Sequence, residues 1–238
     1  MSAPAESPDT RYAELVHDAE RGGLACRGGF HPGPDDAVPA LPDGTRPGTL
    51  VLLGFVGDRQ WDVFRRAPEA ADGLADPLDR WSRRVSDALG ARHQGFGVYP
   101  NEGPPWWPFQ QWAMRAERIH ASPLGMLIHP DYGLWHAYRG ALMFPDRLGL
   151  PPIESRPSPC ERCVDRPCLR GCPVGAFTGT GYDVAACASH VRSAARVDCL
   201  EQGCEARRRC PVGAAYAYRP DHAGFHMRAF IGRRRSAK

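Results

Sequence analysis

The stretch that decides the fold is Cys160-Glu-Arg-Cys163-Val-Asp-Arg-Pro-Cys168-Leu-Arg-Gly-Cys172-Pro-Val-Gly-Ala176. Its last five residues recur as Cys210-Pro-Val-Gly-Ala214. Of the nine cysteines, only Cys26 precedes this stretch, and the other eight lie between Cys160 and Cys210. A repeated Cys-Pro-Val-Gly-Ala segment in so cysteine-dense a region indicates a small module with internal pseudo-symmetry.

The spacing of the eight cysteines predicts two [4Fe–4S] clusters. Bacterial two-cluster modules have the run C-x2-C-x2-C-x3-C-P, whose fourth cysteine binds the other cluster. The run here is C-x2-C-x4-C-x3-C-P, two residues longer in the middle. The predicted ligands of cluster one are Cys160, Cys163, Cys168 and Cys210, and those of cluster two are Cys172, Cys187, Cys199 and Cys204. Two four-cysteine zinc sites, or one cluster with spare thiols, remain as alternatives.

Composition is that of a globular protein. Hydrophobic residues make up 42% and charged residues 24%, which excludes a disordered chain, and the net charge of +3 does not by itself indicate a nucleic-acid partner. No apolar stretch is long enough to cross a membrane, and the first twenty residues do not have the pattern of a secretory signal. We expect a cytoplasmic protein with no membrane partner. Its thiols then stay reduced and available for metal. The basic tail Arg233-Arg234-Arg235 with Lys238 is read as solvated, or as a dock for an acidic redox partner.

The rest of the chain predicts a second, larger domain. An irregular segment is expected over residues 1–47, a mixed α and β domain over 48–144, a proline-rich linker over 145–159 and the cluster module over 160–238. Within the larger domain the pattern predicts strands at Thr49–Val56, Phe96–Tyr99, Leu124–His129 and Leu134–Phe144, and helices around Leu78–Leu89 and Phe109–Arg118. Asp76-Pro77 is the expected start of the first helix, and Pro130–Gly133 the turn between the last two strands.

The larger domain has no phosphate-binding glycine fingerprint and no nucleophile elbow. Its most chemically diverse segment is residues 126–141, which places two histidines, several aromatic residues and an arginine close together. Aromatic residues in such numbers are usually core, and a lone histidine is more often a structural residue than a ligand.

The run 127–142, LIHPDYGLWHAYRGAL, resembles the signature segment of the CblC family, whose members remove upper ligands from cobalamin. Asp76-Pro77-Leu78-Asp79 resembles an upstream motif of that family. The same segment followed by two ferredoxin-like clusters also resembles epoxyqueuosine reductase, a cobalamin-dependent enzyme. This similarity covers most of the chain from about Gly48 onward, but only this run and the cysteines are specific.

The resemblance implies an α+β fold: a flavin-reductase or nitroreductase-like N-terminal domain followed by a ferredoxin-like module with two [4Fe–4S] clusters. It implies a bound cobalamin whose lower base is displaced and whose cobalt has no histidine ligand from the protein. The resemblance therefore argues against His129 and His136 as cobalt ligands. The cofactor-binding residues it implies are His129, Pro130, Tyr132, Gly133, Trp135 and Arg139.

Three departures from these families bear on function. Epoxyqueuosine reductase uses an aspartate as proton donor, near the position where this chain reads Val98–Gly103 without an aspartate. Asn101 and Glu102 are the nearest polar residues, so Glu102 is the candidate acid if burial raises its pKa. No basic surface for tRNA is evident before the final tail, and we do not expect a nucleic-acid partner. CblC proteins, for their part, have no fused cluster module.

Together these patterns predict an iron–sulfur, cobalamin-binding reductase. Electrons from an external donor, such as a flavodoxin, a ferredoxin or a reductase, would pass through two clusters to a bound corrinoid, which is reduced or loses its upper ligand. The alternative is a ferredoxin-type electron-transfer protein whose larger domain docks a partner and binds no corrinoid. A corrinoid chaperone, whose clusters only sense the redox state, is a third possibility.

Overall fold

The computed structural model describes residues 10–154, 156–178, 181–193 and 197–233, and these form a mixed α+β protein. The chain divides into two compact units. The first unit comprises Met1–Arg118 and Ala137–Ser155, and the second comprises Ile119–His136 and Arg156–Lys238. The polypeptide therefore leaves the first unit and returns to it before it enters the cysteine-rich region.

The strands in chain order are β1 (Ala25–Phe30), β2 (Thr49–Val56), β3 (Phe96–Val98), β4 (His120–Ala121), β5 (Leu127–Ile128), β6 (His136–Phe144), β7 (Phe177–Thr178) and β8 (Gly181–Tyr182). The α-helices are α1 (Thr10–Gly22), α2 (Trp61–Phe64), α3 (Pro77–His93), α4 (Phe109–Ala116), α5 (Pro167–Arg170), α6 (Val184–Arg192), α7 (Val197–Glu201), α8 (Glu205–Arg208) and α9 (Pro220–Arg233). Short 3-10 turns lie at Pro34–Asp36, Pro68–Ala70, Pro159–Glu161 and Ala214–Tyr216.

The first unit is built on a four-stranded sheet with the order β1-β2-β6-β3. All eight residues of β2 are buried, as expected for a central strand covered on both faces. β1 pairs antiparallel with β2, with a bulge between Cys26 and Gly29, and β3 pairs antiparallel with β6. A Cβ atom on Gly54 would lie 2.0 Å from the carbonyl oxygen of Ala137, so a glycine is required where β2 passes β6.

Helix α3 packs on this sheet through the residues that the sequence pattern selects. Leu78, Trp81, Val85 and Leu89 are all buried, and the ring of Trp81 meets the ring of Phe55 edge to face at 5.8 Å. The helix begins at Pro77 as predicted, although the side chain of Asp76 makes no capping hydrogen bond. Strand Thr49–Val56 is confirmed with its predicted bounds, and Phe96–Val98 and Phe109–Ala116 are confirmed within one or two residues of theirs.

Two sequence predictions about secondary structure are wrong. Residues 1–47, expected to be irregular, contain α1 and β1. Residues 124–144 do not form a hairpin of two long strands: β5 has two residues and pairs with β4, whereas β6 joins the large sheet. The predicted turn does form, closed by a bridge between His129 and Gly133. The first strand is short because Ser122–Gly125 already forms a turn, in which Gly125 has a φ of +71°.

The second unit consists of short elements around small apolar clusters. One cluster joins Leu124, Ile128 and Leu134 to Cys168, Ala206 and Cys210. The segment 119–136 thus contributes core residues to the cysteine-rich unit. Between β6 and the turn at Pro159–Glu161, the described residues contain no helix or strand. Within the part of the chain that the structure describes, no helix is long and apolar enough to cross a membrane.

Candidate functional site: two sets of cysteine thiols and the segment packed on them

The structure brings the eight clustered cysteines together as two sets of four. The first set is Cys160, Cys163, Cys168 and Cys210. Burial raises the pKa of the Cys160 thiol, and the other three thiols of its set raise that pKa further. Burial likewise raises the pKa of Cys210, with added repulsion from Cys168 and Cys163. Thiols that raise one another's pKa by electrostatic repulsion lie close together in space. Cys210 is therefore near the other three, although it is distant from them in sequence.

The second set is Cys172, Cys187, Cys199 and Cys204. Burial raises the pKa of Cys204 to about 11, and the other three thiols of the set raise it further. The pKa of Cys199 is raised by burial and then by Cys187 and Cys172. The two sets have the same members as the interleaved ligand sets predicted from the sequence. That these thiols are ligands of clusters remains a prediction.

Backbone N–H groups point at these thiols. The N–H of Ala176 donates to the Sγ of Cys172 at 3.2 Å. Four other thiols have their pKa lowered by a backbone hydrogen bond, partly offsetting burial; the donors are Leu169 to Cys168, Glu205 to Cys199, Arg207 to Cys204 and Val212 to Cys210. Such donors stabilise a thiolate, which is the form that binds metal. Two sets of four thiols with these donors fit the ligand requirement of two [4Fe–4S] clusters.

No group of three or more His, Cys, Asp or Glu side chains among the described residues is arranged to hold a single metal ion.

Cys26 belongs to neither set, lies on β1 in the first unit, and has its pKa raised to about 12 by burial. It is therefore a suitable control residue for experiments on the other eight thiols.

The turn Pro130–Gly133, within the run 127–142 that resembles the CblC signature, packs directly on the second Cys-Pro-Val-Gly repeat, Cys210–Gly213. Gly133 has a φ of +57°, and a Cβ atom there would lie 1.9 Å from the carbonyl oxygen of Val212. Gly213 has a φ of +71°, and a Cβ atom there would lie 2.2 Å from the carbonyl carbon of Tyr132. Two backbones therefore meet with no space for a side chain. This contact connects the segment to the loop that follows Cys210.

His129 is held as a turn residue. Its Nδ1 accepts hydrogen bonds from the backbone N–H groups of Asp131 and Tyr132, at 3.0 and 3.3 Å. Its ring stacks on that of Tyr132 with centroids 4.1 Å apart, and Pro130 lies partly buried within the same turn. Since Nδ1 is an acceptor, a neutral His129 carries its proton on Nε2. These contacts give His129 a structural role in the turn.

Trp135 contributes a buried polar atom, the indole Nε1, to this segment. The side chain is 3% exposed, and its indole Nε1 has no hydrogen-bond partner among the described residues. Its ring packs edge to face on Tyr218 at 5.4 Å, and the guanidinium of Arg207 lies over both rings. Arg207 also donates to the carbonyl oxygen of Leu134. A buried N–H without an acceptor is unfavourable, so this position favours a bound acceptor.

The other two predicted residues lie in the first unit. Arg139 on β6 forms an ion pair with Asp79 on α3, and both side chains are largely buried. The structure thus joins the arginine-glycine pair to the Asp-Pro-Leu-Asp motif. Glu102 accepts hydrogen bonds from Arg83 at 2.7 Å and from the backbone N–H of Tyr99 at 3.1 Å. Its side chain is 39% exposed, so the burial that acid catalysis by Glu102 would require is not present.

The sequence interpretation missed three residues around this segment: Arg207, Tyr218 and His222. His222 is completely buried, stacks on Tyr218 at 3.8 Å, and lies 3.1 Å from His226 between their Nε2 atoms. The four-residue spacing of the two histidines on α9 is a signal that the sequence does contain. Nothing in the sequence connects Arg207 to Trp135, because the two residues are 72 positions apart.

No protein-family model matches this chain, and no curated protein matches it. Solved structures of epoxyqueuosine reductase are similar to it. The protein from Streptococcus thermophilus is 14% identical, with a TM-score of 0.48, over 89% of this chain and 70% of that chain. The protein from Bacillus subtilis is 16% identical, with a TM-score of 0.47 over the same shares. A further structure of epoxyqueuosine reductase, crystallised with a tRNA stem loop, is also 16% identical, with a TM-score of 0.47 over 89% of this chain and 70% of that chain. At this level the similarity assigns neither an activity nor a substrate to this chain.

Proposed function

We propose that this chain is an iron–sulfur oxidoreductase that holds two [4Fe–4S] clusters and passes electrons to a bound corrinoid. The observation that carries the proposal is the division of eight thiols into two interleaved sets of four. Cys160, Cys163, Cys168 and Cys210 would hold cluster one, and Cys172, Cys187, Cys199 and Cys204 would hold cluster two. One-electron transfer is the chemistry that such clusters supply when bound.

The chain's own contribution at the thiols is to bury them and to direct N–H groups at their sulfur atoms. Cys168, Cys199 and Cys210 are buried, whereas the remaining five are partly exposed. Burial excludes water, and N–H···S hydrogen bonds raise the reduction potential of a cluster. A backbone N–H group can donate a hydrogen bond to a thiol whatever side chain its residue carries. For that reason these donors could not be recognised from residue type.

Replacing Cys210 tests the interleaving of the ligands. We expect Cys210→Ser to lower bound iron from about eight to about four atoms per chain, because Cys210 completes the set that begins with Cys160. Cys163→Ser should remove the same cluster, and the double variant should lose no more than either single one. The measurement is iron and sulfide analysis with electron paramagnetic resonance of the reduced protein.

Cys26→Ser is the control, since Cys26 lies on β1 in the first unit and belongs to neither set; it should keep about eight irons. A Cys210→Ser protein that also keeps about eight irons would show that Cys210 is not a ligand. Stoichiometric zinc with no iron would favour the zinc alternative.

For the corrinoid, support comes from the buried indole N–H of Trp135. A corrinoid carries several amide side chains whose carbonyl oxygens accept hydrogen bonds, and it supplies a cobalt centre that changes oxidation state. Trp135 would donate to such an oxygen, with Arg207 and Tyr218 fixing the orientation of its ring. His129 would shape the turn and leave cobalt without a protein histidine. Arg139 would also bind the corrinoid, with its guanidinium oriented by the ion pair with Asp79.

A Trp135→Phe variant tests this role. It removes the N–H and keeps an aromatic ring, so we expect about tenfold weaker corrinoid binding, as for one lost hydrogen bond in a buried site. Iron content should not change. The measurement is an anaerobic titration with hydroxocobalamin and cob(II)alamin, followed by absorption and electron paramagnetic resonance.

Trp112→Phe is the matched control. The Nε1 of Trp112 already donates to the carbonyl oxygen of Asp36 at 2.7 Å, so its loss should lower stability and leave corrinoid affinity unchanged. Equal affinities of the Trp135→Phe and wild-type proteins would remove Trp135 from the site.

A second function, electron transfer to a partner protein without a corrinoid, is favoured by one observation. The Tyr132–Gly133 turn packs backbone to backbone against Val212 and Gly213, which gives the segment a structural role that requires no ligand. The same titration separates the two functions. Saturable binding with a base-off Co(II) signal supports the corrinoid protein, and an unchanged spectrum with both clusters intact supports the electron carrier.

A further inference from the structure

The segments that carry the first set of thiols differ in charge from those that carry the second. Residues 156–171 and 205–210 contain seven arginines and three acidic residues. Residues 172–204 contain two arginines and three acidic residues. Positive charge is therefore concentrated around the first set, although the chain as a whole has a net charge of only +3.

Several of these arginines lie around Cys163 and Cys168. Arg162 directly precedes Cys163, and Arg166 is close enough to lower the pKa of Cys168. Helix α5, which ends at Arg170, packs against α8. The side chain of Arg209, which follows α8, lies against Gly171, where a Cβ atom would be 2.5 Å from its Cγ. We call Arg162, Val164, Arg166, Arg170 and Arg209 the arginine surface.

The arginine surface is open to solvent. All four of its arginines are exposed, and Val164 is 93% exposed. The described residues offer Arg162, Arg166 and Arg170 no ion-pair partner within the range of a salt bridge, whereas Arg209 pairs with Glu205. Two exposed acids, Glu161 and Asp165, lie in the same loop and leave the surface with a net positive charge.

The backbone at Arg166 adds a second observation. Its φ of +40° and ψ of +56° place it in the left-handed region. This conformation is unfavourable for a non-glycine residue, and glycine or asparagine would adopt it more readily. The chain keeps a long cation here, next to an exposed apolar residue and a partly exposed thiol, Cys163. Strained residues of this kind concentrate at functional sites.

We propose that the arginine surface is the docking site of an acidic electron-carrier protein, and that electrons enter the chain beside Cys163. This inference rests on the proposed function only in requiring a redox-active first set of thiols. The apolar Val164 would lie at the centre of the contact, and the arginines would pair with carboxylates at its rim. In each encounter the carrier is oxidised by one electron and the first site is reduced by one electron, with no bond made or broken.

The test uses the reconstituted full chain and an acidic carrier, reduced flavodoxin, mixed anaerobically in a stopped-flow instrument. The variant Arg162→Glu/Arg166→Glu/Arg170→Glu should be reduced at least tenfold more slowly than wild type at low ionic strength. High salt should narrow this difference, because steering between charged proteins is screened. Bleaching of the cluster absorption is the readout, so the result does not depend on whether a corrinoid binds.

Two controls make the outcome specific. The variant Arg46→Glu/Arg59→Glu/Arg147→Glu has the same change in charge on exposed residues of the first unit, and should be reduced at close to the wild-type rate. The methyl viologen radical, a small cation, should reduce the arginine-surface variant no more slowly than wild type. Val164→Ser, at a position without packing, should slow reduction by flavodoxin severalfold even at high salt.

Three results would overturn the proposal. The first is an equal effect of the two triple variants, and the second is slowing by both reductants, which would indicate damage to the cluster. The third is a variant of the arginine surface that loses affinity for tRNA and keeps the wild-type rate with flavodoxin. That result would assign the surface to nucleic acid. A failed corrinoid titration, by contrast, would leave this proposal intact.

Discussion

Gly213→Ala is expected to unfold the second unit or to make it lose its clusters, whereas Gly175→Ala, at the equivalent position of the other repeat, is expected to be tolerated. Both glycines have positive φ, +71° and +59°. The left-handed conformation alone costs alanine about 1–2 kcal/mol, and this cost applies to both variants. Only Gly213 faces another backbone, that of Tyr132 and Gly133, while a Cβ atom at Gly175 would meet no atom within 4 Å.

The difference between the two variants therefore isolates the backbone contact. We expect Gly213→Ala to lose roughly 2–5 kcal/mol in total, since overpacking against backbone adds about 1–3 kcal/mol to the conformational cost. The measurements are urea unfolding followed by circular dichroism and iron retained per chain after gel filtration. Gly133→Ala should resemble Gly213→Ala, because its Cβ atom would lie 1.9 Å from the oxygen of Val212. Equal stability of the Gly175→Ala and Gly213→Ala proteins would contradict this account.

The sequence predicted the elements whose information is local. Strand β2 was recognisable because eight consecutive residues are buried on both faces, and α3 because its apolar residues recur at helical spacing. Strand β1 was not recognisable, because Gly28 and Gly29 interrupt its pattern at a bulge. The helix α1 was missed although Tyr12, Leu15 and Ala19, which it buries, have regular spacing. Its surroundings in a glycine- and proline-rich segment obscured that signal.

The grouping of the cysteines was predicted from their spacing alone, and their role as cluster ligands is still a prediction. Cysteine positions and the repeated Cys-Pro pair gave both sets of four thiols, because ligand number and loop length constrain them. The surroundings of Trp135 could not be predicted, since Arg207 and Tyr218 approach it from distant parts of the sequence. The same holds for the contact of Gly133 with Val212, which depends on the packing of two loops. Trp135 and Gly133 could be selected from the sequence, but the residues that contact them could not be predicted from it.

The second large effect concerns the buried ion pair of the first unit. Arg27 on β1 is 2% exposed, and its guanidinium donates to both carboxylate oxygens of Glu117 at 2.7 Å. It also donates to the carbonyl oxygen of Phe55 at 2.8 Å, and the hydroxyl of Tyr138 donates to Glu117 at 3.2 Å. Every charge in this network is paired, so the network is stable as a whole and intolerant of losing one member.

Glu117→Gln should destabilise the first unit by about 3–5 kcal/mol, because it leaves the Arg27 charge buried without a counter-charge. Replacing both residues, as Arg27→Met/Glu117→Leu, should cost less than the sum of the two single changes, since no uncompensated charge then remains. The measurement is urea unfolding followed by tryptophan fluorescence, and the first unit contains Trp61, Trp81 and Trp112 among its reporters.

Asp72→Asn is the matched control. Its bidentate pair with Arg80 has the same chemistry on the surface, where water screens the charges, so its loss should change stability little. If Glu117→Gln were as mild as Asp72→Asn, then Arg27 would find its compensation in water or backbone carbonyls, and the pair would not stabilise the β1 edge of the sheet.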